Sequence, residues 1–121
     1  MCMVDDAEPS KVYHQIERVA RKRHRCDECG RMIEPGERYE AAAMMDYGGY
    51  WFACKTCPHC IAARRWLSDE CGGWVYAGVY EDLFDHWQDD TLLRSLWLGR
   101  VLIGMRRKWQ RRDGSMMPVP A

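Results

Sequence analysis

The sequence predicts an α+β fold in which a small β-hairpin module precedes a helical extension. Two Cys-x-x-Cys steps, Cys26–Cys29 and Cys57–Cys60, enclose a segment of alternating apolar residues with turn residues at its middle. Apolar residues at helical spacing follow the second step. These three observations divide the chain into a leader (1–23), the module (24–70), a helical extension (71–114) and a tail (115–121).

Composition restricts the class of protein. The chain has 121 residues, 47% of them hydrophobic, and a formal net charge of zero, which suits one domain with its own core. It contains no apolar run of about 18 residues, so we expect no membrane span. Its first residues include Asp5, Asp6 and Glu8 and do not resemble a signal peptide. A cytoplasmic location is therefore expected.

The two cysteine pairs indicate a metal site. Four thiolates delivered in two Cys-x-x-Cys steps suit tetrahedral Zn²⁺, and Gly30 permits a tight turn after the first pair. Pro58 fits the first position of a helix, which makes Cys57 its cap and places Cys60 in its first turn. The sequence therefore predicts Zn²⁺ held by Cys26, Cys29, Cys57 and Cys60.

Alternative ligands and pairings remain open. Cys54 with Cys57 forms an overlapping step, and His59 lies within the second pair, but either choice would leave a better placed cysteine idle. Seven cysteines in a cytoplasmic chain argue against disulfides, so Cys2 and Cys71 are expected to be free thiols. A closed four-cysteine site leaves no position for substrate, so we expect a structural metal and no enzyme activity.

Local patterns predict the remaining elements. Arg38–Met45 alternates, with Tyr39, Ala41, Ala43 and Met45 on one side, and the turn at 46–49 leads to a return strand at 50–53. Residues 11–25 are compatible with helix or strand. Helices are expected from Pro58 to about 71–73, over 80–87 with Leu83, Phe84 and Trp87 inward, and over 91–111 with Gly114 as stop signal. The last has an apolar stripe formed by Leu92, Leu93, Leu96, Trp97, Leu102 and Ile103.

Charged groups in the second half have two interpretations. The acidic segment 69–90 and the basic segment 91–112 either neutralise each other across a helix pair or form separate faces for two partners. Asp82, Asp85 and His86 suggest a second metal or an acid–base pair, although acidic residues on an amphipathic helix are more often solvated surface.

The order of parts resembles the treble-clef zinc finger. The match covers about residues 24–68: Cys26, Cys29 and Gly30 correspond to its knuckle, a hairpin follows, and Cys57 and Cys60 correspond to its helix-borne pair. Arg25-Cys26, the stretch from Gly36 to Tyr39, Trp51, Lys55-Thr56-Cys57 and Cys60 are also similar to small zinc-finger-like proteins of bacteriophages and prophages. That resemblance implies a phage accessory protein in the host cytoplasm.

Three functions compete. A nucleic-acid-binding module would use cations beside the knuckle and on two helices, with Trp109 available to stack on bases. A protein-interaction factor would bind a host protein through aromatic and Met residues, and the last helix could instead form a homodimer. A His-metal finger nuclease needs a hairpin histidine, which residues 37–55 lack. The candidate nucleic-acid contacts are Arg21, Lys22, Arg23, Arg64, Arg65, Arg106, Arg107, Lys108, Arg111 and Arg112.

Overall fold

The computed structural model describes residues 2–6, 11–46, 48–89 and 92–121 and shows a mixed α+β chain. The elements run in the order α1 (Met3–Asp6), β1 (Lys11–Val19), β2 (His24–Arg25), β3 (Met32–Ile33), β4 (Arg38–Met45), β5 (Trp51–Thr56), α2 (Pro58–Cys71), α3 (Val79–Asp89) and α4 (Leu92–Arg106). Antiparallel strands dominate the first half and helices the second, as the sequence predicts.

The larger sheet has three strands in the order β1-β4-β5, so β4 is central. β1 pairs antiparallel with β4, from Lys11 opposite Met45 to Val19 opposite Arg38. The segment that the sequence left open between helix and strand is therefore a strand from 11 to 19. Its apolar residues Ile16 and Val19 are 38% and 53% exposed, so their spacing did not mark a buried helix face.

The predicted hairpin is confirmed. β4 and β5 pair antiparallel from Met45 opposite Trp51 to Glu40 opposite Thr56. The backbone N–H of Gly49 donates to the carbonyl of Asp46 at 3.1 Å, and the left-handed φ of +84° at Gly49 suits a residue without Cβ. Position 47 of the predicted turn lies outside the described residues.

Burial on β4 differs from the expected alternation. Ala42 and Met44 are the buried residues of the strand's second half, whereas Ala41, Ala43 and Met45 are only half-buried. Ala42 and Met44 form a small cluster with Cys54, against which Tyr76 packs. Because 41, 43 and 45 are apolar as well, the sequence pattern could not distinguish the two faces of the strand.

The helix that follows the second cysteine pair begins and ends as predicted. α2 is capped by Cys57, has Pro58 in its first turn, and ends at Gly72 in the left-handed conformation with φ of 75°. α3 contains the predicted range and buries Leu83 completely, but Trp87 is 40% exposed, so its predicted inward position is wrong.

The last helix ends at Arg106, earlier than the predicted Arg111. Its end is closed by the N–H of Trp109, which donates to the carbonyl of Gly104 at 2.7 Å, and Lys108 and Trp109 both have positive φ. The prediction of Gly114 as the stop signal is wrong, because Gly114 lies in a later turn and donates to the carbonyl of Arg111.

The buried face of α4 also differs from the predicted stripe. Leu96 and Ile103 are 65% and 55% exposed, while Leu98 and Val101 are buried with Leu102. The side chains at 92 and 93 lie outside the described residues. A longer, continuously apolar helix offers several candidate faces, and packing against α3 selects one of them.

One buried cluster joins both halves of the chain. It unites the cysteine-bearing segments with α2, α3, α4 and the residues after α4, and its members include Ile33, Tyr39, Leu67, Val79, Leu83, Leu98, Val101, Met105 and Trp109. The extension therefore packs on the cysteine-bearing part. The division of the chain into four segments stays a prediction. Among the described residues no helix combines the length and apolar character that spanning a membrane requires.

The expectation of free thiols at Cys2 and Cys71 is wrong. These cysteines form a disulfide with a Cα–Cα distance of 5.8 Å across 69 residues of sequence. α1 brings Cys2 there, because the N–H of Met3 lies 3.3 Å from both carboxylate oxygens of Asp82 in α3. A pairing of this range follows from helix packing and has no local sequence signal.

Candidate metal centre and neighbouring basic surface

The first cysteine pair lies on a tight turn between two short strands. Cys26 follows β2, and the N–H of Gly30, with φ of +82°, donates to the carbonyl of Cys26 at 2.9 Å. The N–H of Arg31 then points at Sγ of Cys29 at 3.4 Å. This turn, which we call the knuckle (26–30), presents both sulfurs on one side.

The second cysteine pair lies at the start of α2. Cys57 has the extended backbone of a cap residue, with no side-chain cap hydrogen bond, and its carbonyl accepts the N–H of Ile61 at 3.0 Å. Its own N–H donates to Sγ of Cys26 at 3.4 Å. Cys60 follows in the first turn, where the positive end of the helix dipole favours a thiolate.

The four sulfurs meet at one point. The Sγ atoms of Cys26, Cys29, Cys57 and Cys60 all lie within 4.8 Å of one another. Sγ of Cys29 lies 3.9 Å from Sγ of Cys57. Zinc–sulfur bonds of about 2.3 Å in a tetrahedron put sulfur atoms about 3.8 Å apart. The cluster could therefore bind a metal ion of that kind.

The four thiols of the cluster are strongly coupled to one another. Hydrogen bonds from the neighbouring thiols, that of Cys26 foremost, strongly lower the pKa of Cys57. The same bonds strongly raise the pKa of Cys29 and of Cys60, because these thiols act as donors. Four thiolates cannot coexist at such distances without compensation. A divalent ion would supply that charge and turn all four sulfurs into acceptors.

Carboxylates of the knuckle attach it to both halves of the chain. The N–H of Lys55 donates to Asp27 at 2.6 Å, which joins the knuckle to the end of β5. Glu28 accepts the N–H groups of Ala77 at 2.8 Å and Val79 at 3.2 Å, where α3 begins. Burial raises the pKa of Glu28. Residues 27 and 28 thus hold the knuckle against α3 and the hairpin.

The residues after α4 cover the other side of the cluster. The indole N–H of Trp109, which is 3% exposed, points at Sγ of Cys60 at 3.5 Å. Nε2 of His59 lies 2.7 Å from the carbonyl of Met117, so Nε2 donates and Nδ1 can accept from Arg31, 3.4 Å away. His59 is thus not part of the cysteine cluster. Its hydrogen bond to Met117 holds the tail against α2.

Cys54 is separate from the four-cysteine group. It is buried beside Ala42 and Met44, and burial raises its pKa to about 11. Of the two overlapping Cys-x-x-Cys steps, the fold therefore brings together the step at 57 and 60, as predicted. Cys54 is a free, buried thiol.

A basic surface lies beside the knuckle. A concavity of about 860 Å³ is lined by Arg18, Val19, Arg21, Lys22, His24 and Tyr39. Desolvation and the charges of Lys55 and Lys22 lower the pKa of His24. Sequence reasoning identified Arg21 and Lys22 but missed Arg18 and Tyr39. Only the pairing of β1 with β4, opposite Tyr39, brings Arg18 to this place.

Two predicted nucleic-acid contacts are unavailable. Arg64 is 4% exposed, forms a buried ion pair with Glu40 and stacks on Trp74 with 4.1 Å to the ring centroid. Arg64 lies on the inner face of α2, opposite a buried carboxylate, and this position explains why it is unavailable to nucleic acid. Trp109 is buried against Cys60 and cannot stack on bases. Helical spacing alone could not show that either residue points inward.

The other predicted cations are on the surface. Arg23 forms an exposed ion pair with Glu34 at 3.0 Å. The remaining residues, Arg65, Arg106, Arg107, Lys108, Arg111 and Arg112, are exposed. Those after 105 lie around the end of α4, and none of them lines the concavity beside the knuckle. The fold thus does not unite all the predicted cations at one site.

Comparisons with known proteins place no constraint on these assignments. Family models, curated proteins and solved structures all yield no match to this chain.

Proposed function

We propose that the protein is a non-catalytic binding module built on a zinc-stabilised finger of the treble-clef type. The order of parts supports this proposal: a knuckle between β2 and β3, the β4–β5 hairpin, and α2 carrying the second cysteine pair in its first turn. Zn²⁺ suits four cysteine donors in two Cys-x-x-Cys steps, because thiolates are soft ligands and zinc accepts tetrahedral geometry.

The metal has a structural role in this proposal. Four cysteine ligands complete a tetrahedral site, so neither water nor substrate can reach the ion as a further ligand. The N–H groups of Arg31, Cys57 and Trp109 already point at the sulfurs. A closed shell surrounded by donors stabilises the fold and supplies no reactive position.

We propose nucleic acid as the ligand, with the basic surface beside the knuckle as its site. The observation that carries this proposal is the grouping of Arg18, Arg21 and Lys22 around Tyr39 in one concavity. Cations of that density contact phosphates. The chain as a whole is neutral, so attraction for phosphates depends on local groups of cations such as this one.

Filter binding of labelled single-stranded DNA and RNA at two salt concentrations tests the site. We expect salt-sensitive retention by the wild type and loss of most retention in Arg21→Glu/Lys22→Glu. The matched control, Arg106→Glu/Arg107→Glu, changes the charge equally at the end of α4 and should retain most binding. Removing one cation that binds a phosphate reduces the salt slope by about one. Equal behaviour of wild type and Arg21→Glu/Lys22→Glu would exclude this surface.

Protein interaction is the second candidate function. Tyr50 and Trp51, at the start of β5, are 72% and 60% exposed, and Phe52 beside them is 37% exposed. Aromatic residues of this kind are enriched in the cores of interfaces. The resemblance to phage proteins makes a host protein the proposed partner, and Leu96 and Ile103 on α4 offer a face for a homodimer. Nucleic-acid retention no better than that of a neutral control protein would favour this candidate.

A further inference from the structure

A second group of metal-ligating side chains lies away from the four-cysteine centre. Cys2, Cys71 and His86 place their ligating atoms within 4.8 Å of one another. Cys2 immediately precedes α1, Cys71 is the last residue of α2, and His86 lies in α3. Asp82, one turn before His86, is 1% exposed, and its Oδ1 lies 3.3 Å from Nε2 of His86. Asp82 thus contacts the group without belonging to it.

One distance in this group matches that around a single zinc ion. Sγ of Cys71 lies 3.5 Å from Nε2 of His86. A tetrahedral zinc with ordinary bond lengths puts a sulfur and a nitrogen ligand about 3.6 Å apart. The Cys71 sulfur and the His86 nitrogen thus lie at the separation that a shared ion requires, and the Asp82 oxygen contacts the same nitrogen.

We propose that Cys2, Cys71 and His86 form a second zinc site when the Cys2–Cys71 disulfide is reduced. The two sulfurs then separate to about 3.8 Å, the distance between two zinc-bound thiolates. Their Cα atoms, 5.8 Å apart, allow either state, because each sulfur turns about its own Cα–Cβ bond. The site has two states, a disulfide that excludes the metal and a dithiolate that binds it.

The interconversion balances with a dithiol as reductant. The dithiol donates two electrons and two protons to the S–S bond, which breaks into the thiols of Cys2 and Cys71, and the dithiol leaves as its own disulfide. Zn²⁺ then displaces the two thiol protons and takes the lone pair of Nε2 of His86, and a water molecule takes the fourth position. Either state keeps α1 attached to α2 and α3.

Zinc stoichiometry of the full-length chain tests the proposal. A phosphine reductant is used, because dithiols bind zinc themselves; it converts the disulfide and one water molecule into two thiols and the phosphine oxide. Zn²⁺ bound is measured by competition with a chromophoric chelator. We expect two ions per reduced chain and one per oxidised chain. Reduced wild type that binds one ion, as the oxidised form does, would overturn the proposal.

Variants distinguish the second site from the first. Reduced His86→Ala and reduced Cys2→Ser should each bind one ion, whereas His14→Ala, which removes an exposed histidine, should still bind two. Circular dichroism shows whether each variant folds. Two ions in reduced, folded His86→Ala and Cys2→Ser would refute the assignment.

Discussion

The indole N–H of Trp109 lies 3.5 Å from Sγ of Cys60, so a residue beyond the last helix reaches the candidate metal centre. Nothing in a hairpin-and-helix finger requires such a contact. The helical extension therefore contributes to the candidate centre, because α4 and its end place a hydrogen-bond donor beside one of the four sulfurs. Donors around a metal's ligands orient them and adjust their charge.

Substitution of Trp109 by Phe should weaken metal binding while preserving most of the packing. Loss of a hydrogen bond to a ligand typically lowers metal affinity about 10–100-fold. Competition with a chromophoric chelator measures the change. Trp87→Phe is the control, since that indole is 40% exposed on α3 and should leave affinity unchanged. Equal affinity of wild type and Trp109→Phe would show that the indole N–H has no effect on the ion.

Gly104→Ala should destabilise the protein, although alanine favours helices. A Cβ at this position would overlap the Trp109 ring, and overpacking of this kind costs about 1–3 kcal/mol. Gly99→Ala is the matched control on the same helix, because its Cβ would meet only Nε1 of Trp87 at 3.5 Å. That variant should gain up to about 1 kcal/mol from helix propensity. Urea unfolding measures both, and destabilisation of equal size in the two would contradict the steric explanation.

Cys29→Ser should unfold the protein or lower its melting temperature greatly. Structural zinc contributes about 10–16 kcal/mol of apparent binding free energy in small modules, which equals or exceeds the stability of an ordinary domain. Cys54→Ala is the control, because Cys54 lies outside the four-sulfur group. It should keep its metal and lose only about 1 kcal/mol. A strong chelator should reproduce the effect of Cys29→Ser in the wild type, and unchanged melting after metal removal would refute the structural role.

Arg64→Met should destabilise the protein by about 3–5 kcal/mol, because it leaves the buried carboxylate of Glu40 without its counter-ion. Arg65→Met, one residue along α2 and exposed, should change stability by less than about 0.5 kcal/mol. The double variant Arg64→Met/Glu40→Leu should recover much of the loss, since no unpaired charge remains. Denaturant unfolding compares the three, and a mild effect of Arg64→Met would show that water reaches Glu40.

Glu37 should contribute stability that depends on pH. Hydrogen bonds from Arg31, at 3.0 Å to each carboxylate oxygen, lower the pKa of Glu37 below that of the unfolded chain. A lowered carboxylate pKa stabilises the fold fully above the unfolded value, and this contribution is lost as pH falls through the folded value. Glu37→Gln should therefore be less stable than wild type near neutral pH, by an amount that shrinks in acid.

Urea unfolding at a series of pH values measures that difference between wild type and Glu37→Gln. Both proteins carry the same cysteines, so proton-driven release of metal affects them alike and largely cancels in the comparison. A constant difference across the acid range would show that the charge of Glu37 is not what Arg31 stabilises.

Part of the architecture could be predicted from interactions between residues close in sequence. The two Cys-x-x-Cys steps, the Pro58 start and Gly72 end of α2, and the β4–β5 hairpin each depend on residues only a few positions apart. Hydrogen bonding and allowed backbone angles within one turn determine such features. The four cysteines of the candidate centre were found in the same way, because Cys-x-x-Cys spacing by itself allows two sulfurs to reach one ion.

Features that join distant parts of the chain could not be predicted from the sequence. The partner of Cys2 is 69 residues away, Asp82 is buried rather than solvated, and Trp109 faces Cys60 rather than solvent. Local interactions do not favour one orientation of these side chains over another, so the packing of α1, α3 and α4 determines where they point.

The sequence by itself thus determined the two cysteine pairs, the hairpin and the capped helix, since the interactions that form them join residues close in sequence. Only the tertiary structure decided that Lys11–Val19 joins the sheet, which cations share a concavity, and which buried groups surround the sulfurs. Those outcomes depend on burying apolar surface jointly across elements, a free energy that belongs to no single segment.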